Sequence, residues 1–151
     1  MTAPLPGTFV LAGCSRRKTS TNVPVTALEL YAGGIAPQLR HRLSGHHELR
    51  RRVYFLSARH GLVAADTPLL PYDQALTISR AGELRASVHP QLRRHLDAAG
   101  TSARLLVVAE PLYLVLLADL LADKDRPLIT WIPDPRGWSS AAAVLDDWNW
   151  P

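Results

Sequence analysis

Cysteine is almost missing from this 151-residue chain: Cys14 stands alone. One thiol excludes an internal disulfide framework and a multi-cysteine zinc site. Long apolar runs are missing too. The longest, around Leu112 to Leu121, is interrupted by Asp119 and is too short to cross a bilayer. The N-terminus has no basic stretch leading into an apolar one, so no signal peptide is expected and the cytoplasm is the expected compartment. The Walker pattern GxxxxGK[ST] is absent. No histidine has metal-ligand spacing, and the adjacent pair His46-His47 cannot face one ion from a helix. Neither a metal nor a cofactor is expected. There is no internal repeat and no low-complexity segment.

What is present suits one globular domain over residues 1–151. At this length a domain buries about 70% of its unfolded surface and needs no staple. Hydrophobic residues make up 47% of the chain. Seventeen Lys and Arg, fifteen of them Arg, face thirteen Asp and Glu. Arg40, Arg42, Arg50, Arg51 and Arg52 crowd one region with His41, His46 and His47. Such a region either attracts a polyanion such as nucleic acid or forms a solvated face.

Residues 1–7, with two prolines, read as a loose leader. Thr8 to Gly13 is a short apolar strand, followed by a polar loop to Val25. Thr26 is placed to cap a helix, with Leu28, Tyr31 and Ile35 at helical spacing and a break at Gly33-Gly34 and Pro37. Arg52 to Ser57 is a second strand. Ala64 to Leu76 is a long connection carrying Pro68 and Pro71. Ser79 is the expected cap of a helix whose stripe is Leu84, Val88, Leu92 and Leu96, with a kink or restart at Pro90. Arg104 to Ala109 is a third strand, and Pro111 opens a helix to about Ala122. Pro127 to Ile132 is a fourth strand. Ser139 or Ser140 would cap a last helix, with the tryptophans 131, 138, 148 and 150 packing around it. Strands alternating with helices predict an α/β domain. Its sheet would be mainly parallel and four-stranded, with helices on both faces in three layers.

In a parallel sheet the strand ends point one way, and ligands bind outside them. Four loops would then converge. The first carries Cys14, Ser15, Arg17 and Lys18, and the second Ser57, Arg59 and His60. The third carries Glu110 and Tyr113, and the fourth Asp134 and Arg136. Tyr72 and Asp73 can fold over them from the long connection. Cys14 admits two readings: a nucleophile activated by nearby cations, with His60 as its base, or a small buried hydrophobe. Ser15 to Lys18 suits a phosphate or carboxylate, or is surface charge. His60 is either an acid-base group or a polar residue that orders its turn. Glu110 can stabilise a developing cation or position water, or favour a helix dipole. Tyr72 and Tyr113 can stack on a base or sugar, or simply pack.

The segments "AGCSRRK", "LELY" and "FLSARHGLV" followed by "PYDQAL" resemble the SCS-x-[RK]-K and LSA[KR]HGL…PY motifs of an uncharacterised bacterial and phage domain family. That family is distantly similar to the YaaA peroxide-stress proteins and to uracil-DNA-glycosylase folds. The resemblance spans about Phe9 to Leu76. It departs at Gly13, where serine is commoner, and at Glu110-Pro111, where a glycine precedes the tyrosine.

The resemblance implies a site for a nucleobase or nucleotide. The expectation is an enzyme acting on an N-glycosidic bond of a nucleotide, nucleoside or nucleic acid. Glu110 or Asp73 would serve the sugar cation or the water, and His60 would donate to the base. Tyr31, Tyr72 or Tyr113 would stack on it. Cys14 lies in the first motif, and Ser15, Arg17, Lys18, Ser57 and Arg59 would line the site and hold phosphate. The alternatives are a non-catalytic nucleotide or nucleic-acid binding module carried by Arg40 to Arg52, and a Cys14 hydrolase.

Overall fold

A computed structural model describes residues 3–100 and 102–151. Met1 and Thr2 of the expected leader lie outside the described residues. Within them Leu5 is tied down: its N–H donates to Trp148 O at 2.8 Å and its carbonyl accepts from Thr8 Oγ1 at 2.7 Å.

The elements in chain order are β1 (Thr8–Gly13), β2 (Val25–Thr26), α1 (Ala27–Leu30), α2 (Ala36–Arg42), α3 (His47–Arg50), β3 (Val53–Ser57) and β4 (Gly61–Ala64). There follow β5 (Pro68–Leu69), α4 (Ile78–Ala99), β6 (Arg104–Val108), a 3-10 helix over Pro111–Leu117, α5 (Ala118–Leu121), β7 (Leu128–Ile132) and α6 (Trp138–Asp147). The main sheet has the order β4-β3-β1-β6-β7. Strands β3, β1, β6 and β7 run parallel, and β4 is antiparallel to β3. The chain is a single mixed α/β domain.

The four expected strands are all present and parallel, but a four-stranded sheet is corrected to five. Gly61–Ala64 does not run into a loop; it folds back on β3, pairing Ser57 with Gly61 and Tyr54 with Ala64. Gly61 sits at φ +75°, a conformation that L side chains rarely adopt, and this permits the tight reversal. Leu62 and Val63 then bury against the sheet's own neighbours. Part of the long connection is also structured, because Pro68–Leu69 pairs antiparallel with Val25–Thr26.

Alternation along β1 divides the core. Val10 and Ala12 share a cluster with Leu28, Leu39, Leu145 and Trp148. Phe9 and Leu11 share another with Leu84, Val88, Leu92 and Leu96. Period-two alternation sends successive strand side chains to opposite faces.

Local chemistry sets the helix ends. Thr26 caps α1 as expected, accepting from Glu29 N at 3.2 Å while its hydroxyl reaches Glu29 Oε1 at 3.0 Å. The break at Gly33-Gly34 is also observed, with α2 restarting at Ala36. For α4 the cap is Thr77, which accepts from Arg80 N at 3.1 Å, and not Ser79. An N-cap stands just outside the helix, and Ser79 already lies within its first turn. No restart occurs at Pro90, because α4 is continuous from Ile78 to Ala99. An internal proline costs about 3 kcal/mol. Burying Leu84, Val88, Leu92 and Leu96 stabilises the helix by about 6–12 kcal/mol in all, so burial wins. The helix expected from Pro111 is a 3-10 helix to Leu117, continued by the single turn of α5. Helix α6 opens at Trp138 after Gly137, with no serine cap. Trp148 and Trp150 are buried, and the Trp150 indole donates to Thr8 Oγ1 at 3.0 Å. Trp131 lies partly exposed on β7 and donates to Ala109 O at 2.9 Å.

Candidate functional site

Three strand ends and the long connection build the site. The loop after β1 is bolted to the α1–α2 junction. Ser15 Oγ donates to Arg17 O at 2.5 Å and accepts from Gly33 N at 3.2 Å. A β-carbon on Gly33 would stand 3.1 Å from Ser15 Cβ, so the absence of a side chain there lets the two segments close. Lys18 bridges to Tyr31 through the backbone, and Ala32 N donates to Arg17 O at 2.9 Å.

At the end of β3 a chain of hydroxyls runs into the interior. Ser57 is fully buried. Its Oγ accepts from Arg59 N at 3.2 Å and from His60 N at 3.0 Å. Those two amides occupy both lone pairs, so the Ser57 proton must point to Tyr72 Oη, 2.7 Å away. Tyr72 then turns its own proton to Tyr31 Oη at 2.6 Å. The Tyr31 ring is buried against Phe55, with centroids 4.8 Å apart. Tyr72 is held from outside as well: Lys18 Nζ lies 4.4 Å from its ring centre, and the His60 ring meets it edge-on at 5.2 Å.

At the end of β6, Glu110 precedes Pro111 in extended backbone and is exposed. Tyr113 follows one turn on, and its hydroxyl lies 3.2 Å from Cys14 Sγ. Cys14 is half-buried and packs against the core at the last position before the loop.

These tyrosines stay neutral. Burial pushes Tyr31 up to about 12. Burial and the neighbouring Cys14 push Tyr72 and Tyr113 up as well. Each is therefore a hydrogen-bond donor at neutral pH and not a base. His60 shifts the other way: burial, then Arg59 and Arg80, hold its imidazole below the ordinary histidine value, so it is neutral at pH 7.

The expected single rim divides into adjoining hollows. One, of about 200 Å³, takes Gly13, Cys14, Ser15, Arg16 and Lys18 from the β1 end and Glu110, Leu112 and Tyr113 from the β6 end. Asp73 to Leu76 and Pro135 close it. Arg59 and His60 line a neighbouring hollow with Thr77, Ser79, Arg80 and Glu83, and Gln74 lines both. Tyr72 lines a third, shallow hollow with Arg16, Lys18 and Asp73. Tyr31 and Ser57 are interior, and the Arg17 side chain lines none of these hollows. From the loop after β7, Pro135 reaches the first hollow while Asp134 and Arg136 do not.

Sequence reasoning missed Arg16, Gln74 and Pro135. Arg16 stood in the first motif beside Arg17, and strand geometry alone does not say which of two adjacent side chains turns inward. Gln74 belongs to a connection with no periodicity to place it. No three His, Cys, Asp or Glu side chains among the described residues are grouped to hold a metal ion.

The basic region has a different character. Arg40 donates to Leu28 O at 2.6 Å and Tyr31 O at 3.0 Å, which satisfies carbonyls at the end of α1. Arg42 pairs with Asp146 at 2.5 Å and donates to Trp150 O. Arg50 pairs with Asp66 at 2.9 Å, and Arg52 donates to Leu5 O at 3.2 Å. Arg51 is largely exposed and lies 3.8 Å from Glu48.

The parallel strands order as second, first, third, fourth, and chain connections leave β1 and β6 in opposite directions. That divergence is a topological switch point, the place where open α/β sheets bind ligands. The hollow between Cys14 and Glu110 lies there. The fold and this hollow define the protein as an α/β domain with a strand-end pocket at its switch point. The chain belongs to the family of unknown function DUF6884, which matches residues 9–131. No curated protein and no solved structure matches it. No helix among the described residues is long and apolar enough to cross a membrane.

Proposed function

We propose that the protein hydrolyses or transfers an N-glycosidic bond of a nucleotide, nucleoside or nucleic-acid base at the switch-point pocket. One observation carries this reading: two carboxylates, Glu110 and Asp73, share a hollow with Arg16, Lys18 and the neutral donor Tyr113. Breaking an N-glycosidic bond leaves a sugar with oxocarbenium character and a base that must take a proton or hydrogen bonds. A carboxylate stabilises the first or activates the attacking water, and a neutral phenol donates to the second. The volume of about 200 Å³ falls below the roughly 300 Å³ at which drug-sized pockets begin, which suits one sugar or one base at a time. The motifs after β1 and β3 resemble those of an uncharacterised family distantly similar to YaaA proteins and uracil-DNA-glycosylase folds, which supports the same chemistry.

Within this reading Glu110 and Asp73 are the catalytic pair, and His60 acts from the neighbouring hollow. Cys14 is a packed wall residue hydrogen-bonded to Tyr113. The fold is taken as three layers, supported by the two clusters that alternate β1 side chains enter, and the compartment as the cytoplasm. The test is base release, followed by chromatography, from a panel of nucleosides, nucleotides and modified single-stranded DNA. Release of a free base from at least one of them is expected. A folded protein that releases none contradicts the proposal and leaves a binding role.

A further inference from the structure

The turn Ser57-Ala58-Arg59-His60 is fixed from below by more bonds than a hairpin needs. Ser57 Oγ holds the amides of Arg59 and His60. The Arg80 guanidinium reaches back from α4 and donates to Ala58 O at 2.9 Å and to Arg59 O at 2.6 Å. All four bonds are spent on backbone. The side chains of Arg59 and His60 are exposed and have no hydrogen-bond or ion-pair partner among the described residues. Arg80 itself is neutralised by Glu83 at 3.0 Å, whereas Arg59 is not neutralised. The turn is a rigid base that presents one guanidinium and one imidazole outward.

Charge is sorted across the shared residue Gln74. On one side, Asp73 and Glu110 are matched by Arg16 and Lys18, so that hollow carries no net charge. On the other, Arg59 and Arg80 outnumber Glu83. Arginine with an imidazole matches the oxygens of a phosphate, the first by its planar fork and the second by a single N–H. We propose that the hollow of Arg59 and His60 is a phosphate subsite of the same ligand, with its sugar in the carboxylate pocket beyond Gln74. This rests on the N-glycosidic reading and narrows its substrate to a phosphorylated nucleoside or a nucleotide within a strand.

The test follows the ring signals of His60 by NMR in the full chain, assigned with His60→Gln. The probes are inorganic phosphate, nucleoside 5′-monophosphates and a single-stranded oligonucleotide. Saturable shifts of the His60 ring with phosphate are expected, weakened about tenfold or more by Arg59→Gln, since a charged hydrogen bond is lost. Arg59 is exposed, so that variant keeps its fold, and Arg59→Lys should recover only part of the affinity. A monophosphate that binds tighter than phosphate and also shifts Tyr113 places the phosphate in a free nucleotide. An oligonucleotide that alone does so places it in a strand. Absence of a saturable shift, unchanged affinity in Arg59→Gln, or equal affinity for all three probes overturns the proposal. Base release is measured separately, so a phosphate site without turnover refutes the glycosidic reading and not the subsite.

Discussion

Replacing Tyr72 with Phe removes one oxygen and tests the polarity of the hydroxyl chain. In the native protein Ser57 donates to Tyr72 at 2.7 Å and Tyr72 donates to Tyr31 at 2.6 Å. Tyr72→Phe breaks both bonds, each worth about 1 kcal/mol net. It also leaves the Ser57 proton, fully buried, with no acceptor, which adds about 1–2 kcal/mol. The expected loss is about 3 kcal/mol. Tyr31→Phe breaks a single bond, and Ser57 keeps its acceptor, so about 1 kcal/mol is expected there. Urea unfolding of the two variants and of the double variant measures the difference, with unchanged slope confirming an unchanged denatured state. The double variant should cost little more than Tyr72→Phe alone, because both substitutions share one bond. Equal losses for the two single variants, or a Tyr72→Phe loss under about 0.5 kcal/mol, would refute the directed chain.

Three other outcomes follow. Gly61→Ala places a β-carbon at φ +75° and should destabilise by about 1–2 kcal/mol in the same unfolding assay. Tyr31 is pushed up to about 12 from 10.0 by burial, so its neutral form is favoured in the native state. Its contribution is intact below pH 10 and is lost as pH rises towards 12, about 3 kcal/mol over that window. Tyr31→Phe should flatten that part of the stability profile. Arg40→Ala takes this donor from the part-buried carbonyls of Leu28 and Tyr31 and should cost about 2 kcal/mol, seen as a lower urea midpoint.

Much of the scaffold was legible because the signals were local. Four apolar runs bounded by turn residues gave four parallel strands, and Thr26 and the Gly33-Gly34 break lie where hydroxyl spacing and glycine place them. Strand β4 was not legible. Gly61 to Ala64 is short, follows another apolar run directly, and is a strand only because β3 offers an open edge. The continuity of α4 through Pro90 was hidden for a related reason: tertiary burial along its stripe outweighs a local penalty. At the site, the strand ends put Cys14, Glu110 and Tyr113 at one rim, and all three line one hollow. Sequence spacing did not reveal that β4 turns Arg59 and His60 towards a second one. Nor did it show that Arg40, Arg42 and Arg52 spend their charge on backbone carbonyls.

The claim that Glu110 and Asp73 act together on an N-glycosidic bond is tested most directly by base release from the best substrate of the panel. Wild type, Glu110→Gln and Asp73→Asn would be compared, with nucleotide binding measured in parallel. Both carboxylates are exposed at the rim, so neither substitution should disturb folding. The account predicts that at least one of the two lowers turnover by about a hundredfold or more while binding holds within about threefold. Turnover that survives both substitutions unchanged would contradict it.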